Sequence, residues 1–339
     1  DGDAAEKFAA TGQRAAPLNA WLKIAPDGTV ICGIHRAEMG QGVTTTLAML
    51  LVEELDADWA DVRFEFVPVD RDYFNFGMLL NGQPLGDPAA GWGAATGTWA
   101  IRQAFHALGM SMTIASSSTI DAWDTLRPAG AAAREMLLAA AARQWDMPPA
   151  SLRTEKSYVI DDTNKRRLSY GELAEQAAQQ KPPSAAKLKQ PADYTLIGHN
   201  PPRLDARMKT DGSAAFGMDV RLPGMLYATV KMNPGLGGAM NGYDATAAQA
   251  LRGVRKILPL EGGVAVVATN TWYAFKAADA IEFDWAEAPY PASTDEQFAA
   301  VEAAFDGSRD SRFRNDGDIE KSLVEGADVE QEYRVPYLA

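Results

Sequence analysis

The chain has 339 residues, 47% of them apolar and 23% charged, and its 45 acidic side chains outweigh 32 basic ones for a formal net charge of −13. That length allows two or three domains with real cores, while the acidity excludes the clustered basic face that nucleic acid or anionic lipid would need. A single cysteine, Cys32, and three histidines far apart without HxxxH spacing (His35, His106, His199) exclude a disulfide framework and a cysteine-ligated iron–sulfur site and argue against a protein-ligated catalytic zinc.

In chain order, the opening DGDAAEKFAATGQRAAP is small, polar and Ala-rich and reads as a processed start. Residues 18–34 read as a hairpin: Trp21, Leu22 and Ile24 run into the turn Pro26-Asp27-Gly28, and Val30, Ile31 and Ile34 return. Val43, Leu47, Leu50, Leu51 and Leu55 then recur at helical spacing, with threonines 44–46 available as caps, so the spacing predicts a helix over 43–56. Glu53 and Glu54 in that helix are expected on its surface. Val62, Phe64 and Phe66 alternate with Arg63 and Glu65, which predicts a half-buried strand over 62–69.

Residues 70–112 read as a long loop with a short helix near 98–108. Asp121–Met147 reads as a tightly packed helix with many small residues and Pro128 near its start. Tyr158–Ile160 and LSYGELAEQA form a small strand–helix unit, and the Pro/Lys/Ala-rich stretch 181–194 reads as a linker. Beyond about Arg207, two strands are expected around the Leu-Pro-Gly turn of FGMDVRLPGMLYATVKM. A short helix over 244–251, strands at VRKILPL, GVAVVAT and IEFDWAEA, and helices over 271–280 and 295–305 follow. The mixture of strands and helices gives an α+β fold class. EQEYRVPYLA stops inside a strand-like apolar run, so the sequence is expected to be part of a longer protein.

The sharpest local feature is Glu38-Met39-Gly40-Gln41-Gly42, set between a strand and the start of the 43–56 helix. Two glycines permit a tight turn and close backbone approach, and a helix N-terminus offers unpaired N–H groups and the positive end of its dipole. These features suit a phosphate or another electron-rich polar group, and they suit a plain strand-to-helix turn equally well. The hydroxyl cluster Thr113-Ile114-Ala115-Ser116-Ser117-Ser118-Thr119 stands before another helix, where it can cap the helix or donate to an anion; capping is the simpler reading. Gly91–Gly97 has GxGxxxG spacing and no Val/Ile strand before it, which disfavours a dinucleotide fingerprint. Asn315-Asp316-Gly317-Asp318 lacks the ligand pattern of a calcium loop. Cys32 is expected to be a buried core thiol, and His35 a satisfied structural histidine.

Several ordered motifs resemble one family. NAWLKIAPDGTV followed by HRAEMGQGVTTTLAMLLVEELDADWADVRFEFVPVD resembles the molybdopterin-binding large subunit of the xanthine dehydrogenase family. The match is to the branch that holds the isoquinoline 1-oxidoreductase beta subunit and the membrane-associated aldehyde dehydrogenases. TIASSSTIDAWDTLRPAGAAAREML resembles a second cofactor loop of that branch, with Ile114-Ala115 where the pattern carries two glycines. TDGSAAFGMDVRLPGMLYATV and GVRKILPLEGGVAVVATNTWYAFKAADAIEFDWAE resemble the family's α/β hammerhead domain.

The resemblance implies a molybdenum-cofactor-binding domain segment over 1–205, a hammerhead domain over 206–292, and a connector over 293–339 into the next cofactor-domain segment. It implies molybdopterin cytosine dinucleotide as cofactor, held in part by Gly40, Gln41, Gly42, Ser116, Ser117 and Ser118. The implied activity is oxidation of an aldehyde or an N-heterocycle C–H bond with oxygen from water. Electrons would leave through iron–sulfur clusters on a separate [2Fe-2S] subunit, and a cytochrome c subunit is a further partner of this branch. The remainder of the large subunit completes the set of partners, and the implied location is periplasmic, with membrane association through a partner or a removed N-terminal segment. No residue here matches the late-motif glutamate that acts as the family's general base, so no catalytic residue and no metal ligand is assigned. A non-catalytic scaffold or assembly protein built from the same domains is the rival reading. A nicotinamide-dependent dehydrogenase is disfavoured by the missing strand–GxGxxG unit.

Overall fold

The computed structural model describes residues 2–77 and 92–308, and in the C-terminal region 317–318, 321–322, 326, 328–329 and 331–336. Contacts divide the chain into two units, Asp1–Ala214 and Ala215–Ala339, both built from helix and sheet.

The first unit opens with a helix, α1 (Gly2–Ala9), where the sequence suggested only a trimmed polar start. Its Phe8 is fully buried. Strands β1 (Ala16–Asn19), β2 (Leu22–Ile24), β3 (Val30–Ile34) and β4 (Val62–Phe66) lie in that order in one sheet. The expected hairpin is β2–β3, antiparallel with Leu22 opposite Cys32, and Gly28 takes a φ of 90° in its turn. Helix α2 (Val43–Leu55) carries the chain over to β4, which runs parallel to β3 with Val30 opposite Val62. Cys32 is buried in the sheet, and burial pushes its thiol up to about 12.

Helix α3 (Trp92–Leu108) is longer than the periodicity predicted. It runs through the Gly91–Gly97 motif from Trp92 onward; residues 78–91, part of the loop expected over 70–112, lie outside the described residues. Helix α4 (Ser118–Trp145) spans 28 residues with Pro128 inside it, and packs along α2. Small residues make that approach possible: a Cβ at Gly130 would sit 2.2 Å from the Leu51 carbonyl oxygen. The three strands β5 (Arg153–Glu155), β6 (Tyr158–Asp161) and β7 (Arg166–Ser169) form an antiparallel sheet leading into α5 (Tyr170–Ala178). Helix α5 starts with a capping box between Ser169 and Glu172. The core gathers Leu22, Ile24, Leu47, Leu51, Leu55, Leu126, Leu137 and Tyr170. Each such side chain taken from water contributes about 1.5–3 kcal/mol.

Two sequence expectations fail in this core. Glu53 and Glu54 are fully buried rather than on the surface, because Arg127 of α4 and the segment around 189–197 cover them. Stretch 181–194 is not a free linker. Glu53 accepts the backbone N–H groups of Thr195, Leu196 and Ile197 and pairs with Lys189 at 2.9 Å. Glu54 accepts the N–H of Lys189 and two hydrogen bonds from Arg127. These charges are paired and hydrogen-bonded, as burial requires. Helix α6 (Ala206–Thr210) closes the first unit.

In the second unit, stretch 216–226 holds one short 3-10 turn rather than the first of two strands. Strand β8 (Tyr227–Met232), β9 (Met240–Asp244), α7 (Thr246–Gln249), β10 (Val254–Leu260), β11 (Gly263–Ala268), α8 (Thr271–Asp279), β12 (Glu282–Trp285) and α9 (Thr294–Phe305) follow. The sheet order is β10-β11-β8, all antiparallel, and β9 pairs with β12. The core is small, with Ala248, Val264, Val266, Ala277, Ala278 and Ile281 at its centre. Helix α9 buries none of its residues. The Asn315–Asp318 motif lies half outside the described residues.

Candidate functional site

Two loops of the first unit meet at one cleft. The 37–42 loop follows β3, and the 111–117 loop precedes α4. Their meeting is fixed by bonds from one to the other: the Ala37 N–H donates to the Thr113 hydroxyl at 2.8 Å, and Arg36 pairs with Asp121 of α4 at 2.6 Å. Arg36 is buried, and it also donates to the carbonyls of His35, Tyr73 and Phe74. Asp121 accepts the N–H groups of Phe76 and Gly77, so the strand exit, the 74–77 turn and the α4 start form one knot. The cleft between the loops encloses about 370 Å³.

Of the six candidate residues, Gln41, Ser116 and Ser118 line this cleft. Gly40 and Gly42 do not form its wall; they shape the turn beneath it, with φ of 103° and 87°. Only glycine takes those angles without strain. Among the described residues nothing lies within 4 Å of the place a Cβ would take at Gly40. Ser117 is turned away and buried: its hydroxyl donates to the Ile114 carbonyl at 2.6 Å and accepts from the Asn75 amide at 2.8 Å. Ala115 and Ser116 hold φ of 55° and 51°, the left-handed region, even without glycine at either position. Each such residue costs of order 1–3 kcal/mol and is held there by its surroundings.

The two helix starts differ from the sequence reading. Threonines 44–46 do not cap α2. Thr44 donates its hydroxyl to Glu38, Thr46 donates to the Gly42 carbonyl, and Thr45 accepts the N–H of Leu204. The seat expected for an outside anion is filled by the chain's own Glu38. One carboxylate oxygen accepts the N–H groups of Gly40 at 2.8 Å and Gly42 at 3.0 Å, and the other accepts the N–H of Thr44 at 3.1 Å. Burial pushes the Glu38 carboxyl up, but these hydrogen bonds outweigh it and hold it below the usual glutamate range. Arg203 and Lys209 add positive charge at 3.3 and 3.5 Å, and Asp205 pairs with both cations. The hydrogen bond from Arg203, reinforced by Lys209, holds Asp205 down at about 2. Gln41 is also engaged within its own loop: its carbonyl accepts the Met39 N–H and its amide donates to the Ala37 carbonyl.

At α4 the N-cap residue is Ser117, whose side chain does not cap the first turn. That turn faces the cleft through Ser118 and Thr119. Thr46, Thr113, Ser116, Ser118 and Thr119 line the cleft together with the apolar Met39, Val43, Ile114 and Ala115, and among the described residues no acidic residue is on its wall. In a chain of net charge −13 this wall suits a negatively charged, phosphate-bearing group. His35 stands behind the loop. It is tilted against Tyr73, and its Nδ1 has no hydrogen-bond partner among the described residues. Burial, then the Arg36 charge, push it well below the usual histidine range, which keeps the ring neutral. The sequence reading missed the anchoring roles of Arg36, Asp121 and Asn75. An acidic residue just ahead of a Gly-x-Gly helix start was the available signal for Glu38.

No family model matches the chain. It is 33% identical over 310 residues to the beta subunit of isoquinoline 1-oxidoreductase from Brevundimonas diminuta, covering 82% of this chain and 36% of that protein. It is 30% identical over 279 residues to a membrane-bound aldehyde dehydrogenase of Gluconacetobacter polyoxogenes, covering 78% of this chain and 31% of that protein. It is 27% identical over 331 residues to a nicotinate dehydrogenase subunit of Pseudomonas putida, covering 94% of this chain and 25% of that protein. The chain therefore spans between a quarter and about a third of the length of these curated relatives. Solved structures of Cu,Mo-CO dehydrogenase and of quinoline 2-oxidoreductase from Pseudomonas putida 86 match 28% and 31% of the chain at 21% and 20% identity; both TM-scores are 0.24, which carries no argument. The chain is homologous to the curated isoquinoline 1-oxidoreductase beta subunit and membrane-bound aldehyde dehydrogenase, over about a third of the length of each.

Proposed function

We propose that this chain supplies one wall of the molybdenum-cofactor cleft in the large subunit of a molybdenum hydroxylase. The observation that carries the reading is the meeting of the 37–42 loop with the start of α4 around a cleft lined by the hydroxyl residues Thr113, Ser116, Ser118 and Thr119. The residues fit a phosphate-bearing cofactor. Ser116 and Ser118 present donors, Gln41 forms the opposite rim, and Gly40 and Gly42 keep the turn low. Ser117 acts from behind by fixing the loop through Asn75 and Ile114. Because Glu38 fills the α2 seat, the cofactor's phosphates are expected at the uncapped start of α4.

The bound cofactor would be molybdopterin cytosine dinucleotide, which supplies the two-electron redox chemistry that oxidises an aldehyde or N-heterocycle C–H bond with oxygen from water. This chain's own part is binding and orientation, since none of its residues is assigned to proton transfer. In this reading residues 1–205 are a cofactor-domain segment, 206–292 a hammerhead domain and 293–339 a connector. A [2Fe-2S] subunit takes the electrons, a cytochrome c subunit is a further partner, and the complex works in the periplasm.

The test is molybdenum per large-subunit polypeptide, by plasma mass spectrometry on the complex purified from its native source. Near-stoichiometric metal is expected. Metal at background in intact material would favour the scaffold reading instead.

A further inference from the structure

We propose that Glu38 is the positioning residue of the glycine loop: its carboxylate is a built-in anion at the N-terminus of α2 that sets Gly40–Gly42 in their final shape before any ligand arrives. The proposal rests on the cofactor reading above for the identity of that ligand, and on the geometry of this chain alone for the role of Glu38.

Four donors of the glycine loop and helix start converge on this side chain: the N–H groups of Gly40, Gly42 and Thr44, and the Thr44 hydroxyl at 3.0 Å. Helix α2 itself supplies no negative charge at that end. Its N-cap is Gly42, which has no side chain to offer, and its first turn contains no acidic residue. The positive end of the helix dipole and its orphan N–H groups therefore find their partner in Glu38.

The carboxylate also ties the loop to the end of the first unit. Arg203 donates to Glu38 and, from its other terminal nitrogen, to the Gly40 carbonyl at 3.1 Å. Leu204 donates to Thr45 at 3.1 Å, and Asp205 holds Arg203 and Lys209 in place at 2.9 and 2.6 Å. Glu38 and Asp205 balance Arg203 and Lys209 in charge, so the group is neutral as a whole. An incoming phosphate would have to break these four contacts and the one from Arg203 to take this seat, and charged acceptors hold such contacts about twice as strongly as neutral ones. The ligand therefore meets the loop on its other side, where Gln41 faces Ser116 and Ser118.

The test is hydrogen exchange on the full chain without cofactor, comparing the unchanged protein with Glu38→Ala and Glu38→Gln. In Glu38→Ala, exchange at Gly40, Gly42 and Thr44 is expected to rise about tenfold or more while the middle of α2 and α4 keeps its protection. Acetate added at constant ionic strength should restore most of that protection by refilling the seat, and chloride should not. A side chain that only fills space would show no such rescue. Glu38→Gln keeps one acceptor and should give a smaller rise without acetate rescue. Wild-type exchange at the three amides in either variant would overturn the proposal, and so would a rise in Glu38→Ala that acetate leaves unchanged. Should Glu38→Ala lose its fold altogether, Glu38→Gln decides alone, since wild-type protection in it removes the role. The two readings fail separately: absent molybdenum removes the ligand and leaves the exchange result standing, whereas unchanged exchange in a molybdenum-loaded protein removes the role of Glu38 and leaves the cofactor.

Discussion

Helix α2 begins at a glycine whose first N–H groups are accepted by a carboxylate from four residues upstream, while α4 begins at a serine whose hydroxyl points back into the loop it came from. Both starts belong to the same corner of the first unit, and Ala37 is bonded to Thr113 across it. The first start is sealed by charge already present in the chain. The second gets no cap from the side chain of its own N-cap residue and presents Ser118 and Thr119 to the cleft. The contrast teaches that a helix N-terminus beside a glycine turn is not by itself the binding end: what matters is whether the chain has already supplied the anion.

The comparison holds only while α2 and α4 stay fixed side by side, and the strongest way to break it is to unseat them. Arg127→Met leaves the fully buried Glu54 carboxylate without its cation, and a loss of about 3–5 kcal/mol is expected from urea unfolding. A loss below about 1 kcal/mol would show that the two helix starts are held by something else. Gly130→Ala puts a methyl group 2.2 Å from the Leu51 carbonyl and forces the helices apart, with about 1–3 kcal/mol expected from the same measurement.

Acid tests the sealed end. Asp205 sits at about 2 in the folded chain, below the ordinary aspartate value of 3.8, so its pairing with Arg203 and Lys209 stabilises the fold fully above about pH 4 and is lost as pH falls toward 2. The contribution is up to about 2 kcal/mol, and less where water screens the half-exposed Arg203. Thermal midpoints should fall across that window, and Asp205→Asn should flatten the fall; an unchanged slope in the variant would remove Asp205 from the lock.

The smallest effects separate the serines. Ser117→Ala deletes the hydroxyl that bridges Asn75 and Ile114 and should cost about 1 kcal/mol. Ser118→Ala should leave stability within about 0.5 kcal/mol while lowering molybdenum content of the assembled enzyme. Equal behaviour of the two variants in both measurements would erase the distinction between loop-fixing and cleft-facing serines.

Much of the corner was legible along the chain. The apolar spacing of Val43 to Leu55 gave α2 to within a residue, and Pro26-Asp27-Gly28 gave the β2–β3 turn, because both patterns depend on neighbours a few positions apart. Gly40, Gly42 and the 113–119 hydroxyls stood out for the same reason. Partnerships at long range were not legible. Glu53 and Glu54 carry no mark that segment 187–197 folds over them, and a polar pair on a helix reads as solvent-facing until its cover is known. The first strand expected in 216–226 failed too, since alternating apolar residues do not fix a strand that finds no neighbour to pair with.

The sequence by itself determined that helix and sheet are mixed, the positions of α2, α4 and the core strand β11, and the two loops that merit attention, since turns and helical faces are written in residues close together. Tertiary structure alone decided that these loops face each other, that Ser117 turns inward while Ser116 and Ser118 turn outward, and that Glu38 rather than a ligand completes α2. Those choices depend on which donor finds which acceptor across 76 or 165 positions of chain, as Ala37 finds Thr113 and Arg203 finds Glu38, and buried polar groups accept no substitute for the partner that is there.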